Sequence, residues 1–491
     1  MTRFLATSNA VAVPAEAIPV VEIEGFRGEV LSAVAGGARL LLLTGLSRGH
    51  EGTRLLAALA DDARGEIALG ATVVTSAYPA LTPECPAAHH FEREILEQWG
   101  VHPEGHPWPK PVRYPPGGPP IGAADFFKVS GPEIHEVAVG PVHAGVIEPG
   151  HFRFNCHGEQ VIHLEIALGY QHRGVERALR GGPRKASIHL AETLAGDTSA
   201  GHATAYCQSL EALAGIECSP HALALRAVAL ELERIANHIG DLGALAGDVG
   251  FLPAAAYCGR LRGDALNLTA ELVGSRLGRG WMKPGGVARE IDGEALGQLK
   301  RRILVAERDM RNAVDLMWKS SSLRARFENT GILTESAAAE LGVVGPPARA
   351  SGIDRDARRD LPGPVYASRR PAIAVGDTGD VFARAFQRWR EIEESIAFLA
   401  QVLDDPGSGA AMTAMKPLAP NHIVLSLVEG WRGEIVHMAA TDGAGRFATY
   451  KIVDPSFRNW YALAFAMRGQ AIMDFPLCNK SFNLSYCGHD L

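Results

Sequence analysis

The stretch HALALRAVALELERIANHIGDLGAL, residues 221–245, predicts a long helix in the interior of the protein. Its apolar residues recur three and four positions apart, as helical packing requires; they are Leu225, Val228, Leu232, Ile235 and Ile239. Four polar residues also share one face, at spacings of three, four and three; they are Glu231, Arg234, His238 and Asp241. Spacing alone favours a solvent-exposed stripe, but buried polar groups must find partners. We therefore expect a paired network on this face.

The pattern on both sides of this stretch is also helical. It extends from about residue 185 to residue 340 and resumes over Val381 to Leu403. A polar segment rich in Gly, Pro and Arg, residues 345–371, interrupts it. Residues 424–440 resemble a pair of strands, and residues 460–471 resemble a final helix. We expect a large, mainly α domain with a small β element at its edge.

The first hundred residues have a different pattern. Residues 38–44 and 67–75 are rich in Leu, Val and Ile and predict strands. Residues 52–63, between them, have the apolar spacing of a helix. A second helix is predicted over Phe91 to Trp99, FEREILEQW. These elements predict a small α+β domain over residues 1–101.

A stretch rich in Pro and Gly, residues 102–128, follows this domain. Proline removes backbone donors and fixes φ, so an extended linker is expected there. The larger domain is then expected over residues 129–491. Near its start, residues 151–166 alternate as in a hairpin with a turn at residues 157–159. The predicted fold class is α+β: a small α+β domain, a linker, and a large, mainly α domain.

Composition excludes several classes of protein. The 491 residues include 48 Lys and Arg and 55 Asp and Glu, a net charge of −7, and scattered basic residues do not fit a nucleic-acid surface. The most apolar stretch, residues 38–46, is far shorter than the roughly 20 residues that a spanning helix needs. Pro14 and Pro19 interrupt the N-terminal pattern before a secretory signal could develop. Seven dispersed cysteines without a CxxC pair predict a reducing compartment.

Ten of the 18 histidines lie between His135 and His238, which raises the question of a metal site. Zinc needs three or four converging ligands, and no HExxH or CxxC motif is present. We favour scattered, hydrogen-bonded histidines over a zinc site. In HRGVE, residues 172–176, a buried Glu176 beside Arg173 could carry protons because desolvation raises a carboxyl pKa. A surface Arg–Glu pair explains that motif equally well.

Seven motifs in order carry a family resemblance. They are GPVH (140–143), EPGHFR (148–153), HRGVE (172–176), ELERIANHIGDLG (231–243), KPGGV (283–287), ASGIDRD (350–356) and DPSFRNW with DFPL (454–460 and 474–477). The chain resembles the large subunit of membrane-bound nickel–iron hydrogenases of the formate-hydrogenlyase type (group 4), and the homologous 49-kDa subunit of respiratory complex I, the NADH–quinone oxidoreductase. Residues 91–107, FEREILEQWGVHPEGHP, resemble the 30-kDa subunit of complex I. The resemblance covers nearly the whole chain.

The hydrogenases of this family bind nickel and iron through four cysteines, which this chain lacks. Aligned on HATAY (202–206) and on DFPL, the four ligand positions fall on Ala195, Thr198, Ser485 and Gly488. Cys487 is one residue out of register. Thiolates suit these soft metals, so the resemblance with this departure predicts that the nickel site is absent and that this chain binds no metal.

The complex I branch uses a histidine and a tyrosine around a quinone pocket. The resemblance implies that His151 stands in for the histidine, with His143 close by, whereas the tyrosine maps to about Gly196 and is missing. Quinone binding is thereby weakened and left open. The loop Asp197-Thr198-Ser199 suits a proton relay or a polar ligand better than a soft metal.

The resemblance implies a redox and coupling subunit of a membrane-associated complex. The chain would dock onto a small iron–sulfur subunit and membrane-arm subunits, on the inner face of the cell membrane. Its cavity is expected to include Arg173, Glu176, His151, His143, Asp197 and His202, with Glu176 as proton carrier and Arg173 as its electrostatic partner. Two alternatives stay open: a non-catalytic scaffold of the same type of complex, and a true nickel–iron hydrogenase, which the missing cysteines disfavour.

Overall fold

The N-terminal hundred residues form an antiparallel sheet with two helices against it. The computed structural model describes residues 3–50, 52–115, 117–118, 120–121, 125–143 and 147–491. The elements here are β1 (Leu5–Thr7), β2 (Val13–Pro14), α1 (Ile23–Ala35), β3 (Arg39–Gly49), β4 (Gly52–Asp61), β5 (Glu66–Val74), β6 (Ala77–Pro79), α2 (His89–Trp99) and β7 (His102–Glu104). The sheet has the order β1-β5-β4-β3, and the short strands β6 and β7 pair in parallel. The predicted strands at 38–44 and 67–75 and the helix at 91–99 are confirmed.

The helix predicted over residues 52–63 is wrong, because this segment is the strand β4. It pairs with β3 on one side and β5 on the other, with Ala58 opposite both Leu42 and Leu69. A strand that is buried on both faces carries an unbroken apolar run. Such a run, LLAALA, also satisfies helical spacing, so periodicity alone does not separate the two structures.

The rest of the chain is helical around a second antiparallel sheet and a small hairpin sheet. Its elements are β8 (Ile134–Val139), β9 (His151–His157), β10 (Gln160–Ala167), α3 (Val175–Leu179), α4 (Ser187–Glu192), α5 (Ser199–Ala214), α6 (Pro220–Asp248), α7 (Leu252–Val273), β11 (Met282–Lys283), β12 (Gly286–Val287), α8 (Gly293–Trp318), α9 (Ser321–Phe327), α10 (Glu335–Glu340), α11 (Pro346–Ala350), α12 (Ala357–Asp360), α13 (Val381–Asp404), β13 (His422–Gly430), β14 (Gly433–Thr441), β15 (Phe447–Val453), α14 (Pro455–Ala466), α15 (Phe475–Phe482) and α16 (Tyr486–Asp490). The α+β class, the predicted hairpin (β9 and β10) and the helix at 381–403 are confirmed.

The helix α6 lies in the middle of the helical part, against α5, α7, α13 and α15. It begins at Pro220, directly after Ser219, whose side chain accepts a hydrogen bond from the backbone N–H of Ala222. This is the usual way to satisfy a free donor at a helix start. Most of its residues are buried, including all four members of the predicted polar face.

The strands β13, β14 and β15 lie in the interior of the molecule, between the helices and the N-terminal sheet. Successive side chains of a strand point to opposite faces. On β13, Ile423, Leu425 and Leu427 join the apolar core of the N-terminal sheet, whereas Val424 and Val428 join the core of the helices. The sheet therefore separates two cores and contributes to both.

The N-terminal residues reach across to this interior sheet. β2 pairs with β13, with Val13 opposite Ile423. The side-chain amide of Asn9 donates hydrogen bonds to the carbonyl oxygens of Leu361 and Leu427, at 2.8 and 2.9 Å. The proposed division at residues 101 and 128 remains a prediction beside these contacts.

The C-terminal end of the chain is more helical than expected. The helix predicted over residues 460–471 is α14, which ends at Ala466, and it is not the last, because α15 and α16 follow. The polar segment 345–371 contains α11 and α12, and its Arg349 and Arg358 are fully buried. Among the residues that the structure describes, no helix is both long and apolar enough to cross a membrane.

Candidate functional site

The loop before α5, residues 195–198, is held by the turn between β13 and β14. Arg432 donates to the Asp197 carboxylate, with 2.8 Å between Nη2 and Oδ2. Trp431 Nε1 donates to the Asp197 carbonyl oxygen at 3.0 Å, and the Arg432 guanidinium lies 4.0 Å from the Trp431 ring centre. Burial alone would raise the pKa of Asp197, but the charge and hydrogen bonds of Arg432 lower it below its usual value. The loop therefore presents a fixed carboxylate.

The four positions that the resemblance assigns to the metal-ligand cysteines lie on this loop and on the C-terminal tail, which meet. Arg173 joins them, because its Nη2 donates to the carbonyl oxygens of Leu194 at 2.8 Å and Cys487 at 3.4 Å. Ala195 is fully buried and brings no donor atom. The Thr198 hydroxyl accepts from Trp431 Nε1 at 3.1 Å. The predicted cavity positions are thus brought together, without thiolates.

The tail positions are committed to other contacts. Ser485 caps α16, since its hydroxyl accepts from the backbone N–H of Gly488 at 2.9 Å. A Cβ added to Gly488 would lie 2.7 Å from the Asp454 carboxyl carbon, a distance that real side chains avoid. Soft-metal chemistry needs bridging and terminal sulfurs. Alanine, glycine and two hydroxyls do not supply that set, so the residues present do not fit a nickel–iron centre.

Cys487, the cysteine nearest to these positions, is a protonated thiol. Its sulfur lies 3.3 Å from the Ser485 hydroxyl. Burial, with a further contribution from Glu148, raises the pKa of Cys487 to about 11. Only the thiolate is a good metal ligand. One cysteine in this state does not replace four.

His202 belongs to a buried chain of hydrogen bonds behind the loop. Its Nε2 lies 3.0 Å from Asp454 Oδ2, and its Nδ1 lies 3.1 Å from His437 Nε2. His437 Nδ1 in turn lies 2.9 Å from the hydroxyl of Tyr450. Burial and the proximity of His202 lower the pKa of His437 well below its usual value. A neutral imidazole donates through one nitrogen and accepts through the other. A switch of donor and acceptor at one end of this series of hydrogen bonds can therefore be passed to the other end.

Glu176 is buried, but its partners are not the expected ones. Its carboxylate contacts Lys451 Nζ at 2.8 Å and Arg113 Nη1 at 3.3 Å. Glu94 closes the ring by contacting the same two cations, each at 2.6 Å. The expected pairing of Glu176 with Arg173 is wrong, since Arg173 donates to backbone carbonyls instead. We call Glu94, Arg113, Glu176 and Lys451 the junction cluster.

The closed ring determines the charge state of Glu176. Burial would raise the pKa of this carboxyl, but Lys451 and Arg113 lower it to about 2. The backbone N–H of Ile452 donates to the same carboxylate at 3.0 Å. Glu176 is therefore ionised at neutral pH, opposite to the direction that desolvation alone would give.

His151 is the first residue of β9 and His143 lies in the segment that follows β8, and both contact backbone carbonyl oxygens. His151 Nδ1 lies 2.9 Å from the Gly140 carbonyl oxygen, and His143 Nε2 lies 3.1 Å from the Gly150 carbonyl oxygen. Glu148, between them in sequence, accepts from the backbone N–H of Cys487 at 3.4 Å. The segment before β9 therefore touches the C-terminal tail, which also lies beside the loop at Asp197.

The polar face of α6 forms the paired network that the sequence predicts. Arg234 and Arg358 contact Glu231, His238 contacts Glu391 at 3.0 Å, and Arg388 contacts Asp241 at 2.8 Å. The partners come from α12, α13 and β13, all distant in sequence. We call the seven charged side chains around α6 the interior cluster: Glu231, Arg234, Arg349, Asp356, Arg358, Glu391 and Glu429.

Glu233 is a residue near the site that the sequence analysis missed. Its carboxylate accepts from the backbone N–H groups of Ala200 and Gly201, at 2.7 and 3.1 Å, at the start of α5. Burial, reinforced by the charge of Asp197, raises its pKa to about 8 despite these hydrogen bonds. It lies off the polar stripe of α6, so helical spacing did not select it. Arg432 and Lys451 were also missed, because neither lies within the seven motifs that carry the family resemblance.

Some histidines contact one another in pairs, such as His202 with His437 and His89 with His90. Among the residues that the structure describes, no group of three His, Cys, Asp or Glu side chains has the arrangement of a metal site.

Comparison with known proteins identifies similar sequences and a similar fold. The family model "Respiratory-chain NADH dehydrogenase, 49 Kd subunit" matches residues 248–422 and 410–490. A carbon monoxide-induced hydrogenase of Rhodospirillum rubrum is 30% identical over 354 residues, which are 71% of this chain and 97% of that protein. Formate hydrogenlyase subunit 5 of Escherichia coli is 28% identical, over 83% of this chain and 76% of that protein. A chain of the archaeal membrane-bound sulfane sulfur reductase has the same fold, with a TM-score of 0.68 at 23% identity, and the match covers 73% of this chain and 99% of that chain.

Proposed function

This chain belongs to the family of the 49-kDa subunit of respiratory-chain NADH dehydrogenase and related hydrogenase subunits, and we propose that it transfers electrons and couples them to protons without a nickel–iron centre. It would do so within a membrane-associated complex of several subunits. A small iron–sulfur subunit would supply electrons and membrane-arm subunits would anchor the assembly on the inner face of the membrane.

The observation that carries the proposal is the replacement of the metal-ligand positions by a polar, ion-paired loop. Asp197 and Arg432 pair where the loop meets the tail, and Gly488 packs against Asp454. Charged groups are costly to bury, and clusters with shifted pKa values are typical of functional sites. A scaffold that had lost its cofactor could fill the same space with apolar side chains. The retained charges favour the redox and coupling function over the scaffold.

Proton uptake is proposed to occur at Glu233. A carboxyl with a pKa of about 8 is protonated at neutral pH and can exchange its proton when a nearby charge changes. Asp197, Arg173 and the His202 chain would orient and stabilise charge around it. Glu176 is retained as a second candidate, although a pKa of about 2 requires the charge of Lys451 or Arg113 to be moved first. His151, with His143 beside it, is the proposed contact for a quinone-like acceptor.

Metal analysis tests the absence of nickel. The chain would be purified with its iron–sulfur partner and analysed by inductively coupled plasma mass spectrometry. Iron that tracks the partner, without nickel, is the expected result. One nickel per chain would restore the hydrogenase function, and one zinc per chain would restore a histidine metal site.

Two substitutions test the coupling role in the assembled complex. We expect Glu233→Gln to slow proton-coupled electron transfer at least tenfold and to remove the fall in rate as the pH rises through about 8, with assembly intact. Glu176→Gln tests the second candidate by the same assay. Glu217→Gln, at an exposed site, is the matched control. If an assembled complex transfers electrons and protons equally well with both variants, the scaffold function is favoured instead.

A further inference from the structure

A pocket of about 680 Å³ lies away from the loop and tail described above. Its walls come from the segment before α4, from α4 and α5, from the β11–β12 turn, from residues 415–418 and from the turn between β14 and β15. The volume is in the range of pockets that hold small organic molecules. Ile188 and Leu210 form part of an apolar floor, and Met415 and Leu418 form part of the wall.

The lysines that line this pocket differ from most other lysines of the chain in their ion pairing. Five of the nine lysines form ion pairs, and they are Lys110, Lys300, Lys319, Lys451 and Lys480. Within the described ranges, no ion pair is found for the other four, and three of these line the pocket: Lys185, Lys283 and Lys416. No carboxylate of the described part of the chain lines the pocket, although the whole chain has a net charge of −7.

Two further cations at the pocket already have partners. The Arg184 guanidinium donates to the carbonyl oxygens of Ala178 and Arg180, at 3.1 and 3.2 Å. His189 pairs with Glu192 at 3.1 Å. The charge available to a ligand therefore comes from the three lysines, which belong to three separate chain segments.

The pocket is built by backbone contacts that fix its walls. The N–H of Gly181 donates to the carbonyl oxygen of Phe447 at 2.8 Å, and the N–H of Thr413 donates to that of Gly285 at 2.7 Å. Gly285 has φ +94°, and a Cβ there would lie 2.1 Å from the Thr413 carbonyl oxygen, so only glycine allows this approach. Walls held in this way need little ordering when a ligand binds.

We propose that this pocket binds an amphiphile with one anionic end, such as a fatty acid. The apolar chain would lie on the floor, and the carboxylate or phosphate would meet Lys185, Lys283 and Lys416. Lysine is a flexible cation that accepts either anion without a fixed geometry. One pocket with three lysines in its lining fits a single amphiphile better than an extended peptide, which would need contacts along a groove.

Calorimetric titration of the purified full-length chain tests the proposal, with dodecanoate and dodecyl phosphate below their micellar concentrations. Both are expected to bind at one site per chain, at least tenfold tighter than dodecyltrimethylammonium, dodecyl maltoside or butyrate. The triple variant Lys185→Gln, Lys283→Gln, Lys416→Gln should weaken binding at least tenfold. Lys128→Gln, at an exposed lysine outside the pocket, should leave it unchanged. A preference for only one head group would identify whether a fatty acid or a lipid phosphate is the source.

Photolabelling locates the bound molecule. A dodecanoate with a diazirine in its chain should label peptides that contain residues 183–189, 206–210 or 415–418, and excess dodecanoate should suppress that label. Equal binding of the cationic or neutral amphiphile, labelling elsewhere, or unchanged binding in a triple variant with native circular dichroism would overturn the proposal. Tighter binding of a Glu- and Leu-rich peptide that dodecanoate cannot displace would also overturn it, in favour of a protein partner.

Discussion

The junction cluster and the interior cluster are both built from buried arginine, lysine and carboxylate groups, but their charges balance differently. In the junction cluster two carboxylates meet two cations, and each carboxylate contacts both cations. In the interior cluster three arginines meet four carboxylates. The extra carboxylate has a consequence: burial and the charge of Asp356 raise the pKa of Glu429 to about 7.

The count of charges decides whether a buried cluster exchanges a proton near neutral pH. A buried charge without a partner is expensive, so a surplus carboxyl lowers the cost by binding a proton. Glu231 and Asp356 keep pKa values of about 2 because arginines surround them. The interior proton therefore belongs to the cluster as a whole, with Glu429 as the group that holds it.

The largest effect is expected from breaking the balance of the junction cluster. Lys451→Met keeps the length of the side chain but leaves Glu94 and Glu176 with Arg113 alone. We expect a loss of about 3–5 kcal/mol in the free energy of unfolding at pH 7, because one buried charge loses its partner. Urea denaturation would measure it.

A second substitution checks that charge, and not packing, is the cause. Adding Glu176→Gln to Lys451→Met leaves one carboxylate and one cation, so part of the lost stability should return. Lys128→Met, at an exposed position, is the control for the assay. A loss below about 1 kcal/mol in the single variant would show that the ring contributes little.

An intermediate effect is expected from removing one hydrogen bond in the interior cluster. The Tyr366 hydroxyl donates to Glu231 Oε1 at 2.6 Å. Tyr366→Phe should cost about 1.5–3 kcal/mol in the free energy of unfolding, the range for hydrogen bonds to charged groups. Thermal and urea denaturation would be compared with Tyr257→Phe, at a half-buried tyrosine. Equal losses in both variants would contradict the special role of Glu231.

Glu429→Gln is expected to have the smallest effect on the free energy of unfolding at low pH. Its result is also the most informative. Because the folded pKa is raised to about 7, the folded state holds a proton that the unfolded state releases above its ordinary pKa. The contribution of Glu429 to stability is therefore present at pH 4 and is lost as the pH rises through about 7. The variant should gain about 1–2 kcal/mol relative to the parent between pH 5 and pH 8.

Urea midpoints at pH 5, 6, 7 and 8 would show this shift. Glu340→Gln, at an exposed site, should keep a constant difference from the parent. If the Glu429→Gln difference is also constant, the interior cluster holds its proton elsewhere or does not hold one.

The sequence predicted the polar face of α6 but not the identity of its partners. Spacing places Glu231, Arg234, His238 and Asp241 together because a helix repeats locally. Their partners Arg358 and Glu391 lie more than a hundred residues away, and no local pattern encodes that distance. The same reason explains why Lys451, rather than the adjacent Arg173, is the cation beside Glu176.

The same distinction between local and long-range information applies to the candidate site. The motifs predict that the loop at Asp197 and the tail at Gly488 line one cavity, because the family resemblance carries long-range information that periodicity lacks. Arg432 lies in the turn between β13 and β14, and Glu233 lies off the polar stripe of α6. Both could be identified as site residues only from the three-dimensional structure. In the N-terminal sheet, the run LLAALA led to the wrong prediction of a helix, because a strand buried on both faces shows no alternation of apolar and polar residues.

The pairing of residues 9–14 with partners at Leu361, Ile423 and Leu427 affects how the protein is made. A ribosome adds about 5–20 residues per second, so these first residues wait roughly 20–80 s for their partners to be synthesised. During that interval the hydrogen bonds of these residues with Leu361 and β13 cannot form. Slower translation or a shortage of chaperones should therefore reduce the yield of this protein more than that of a chain whose contacts are local.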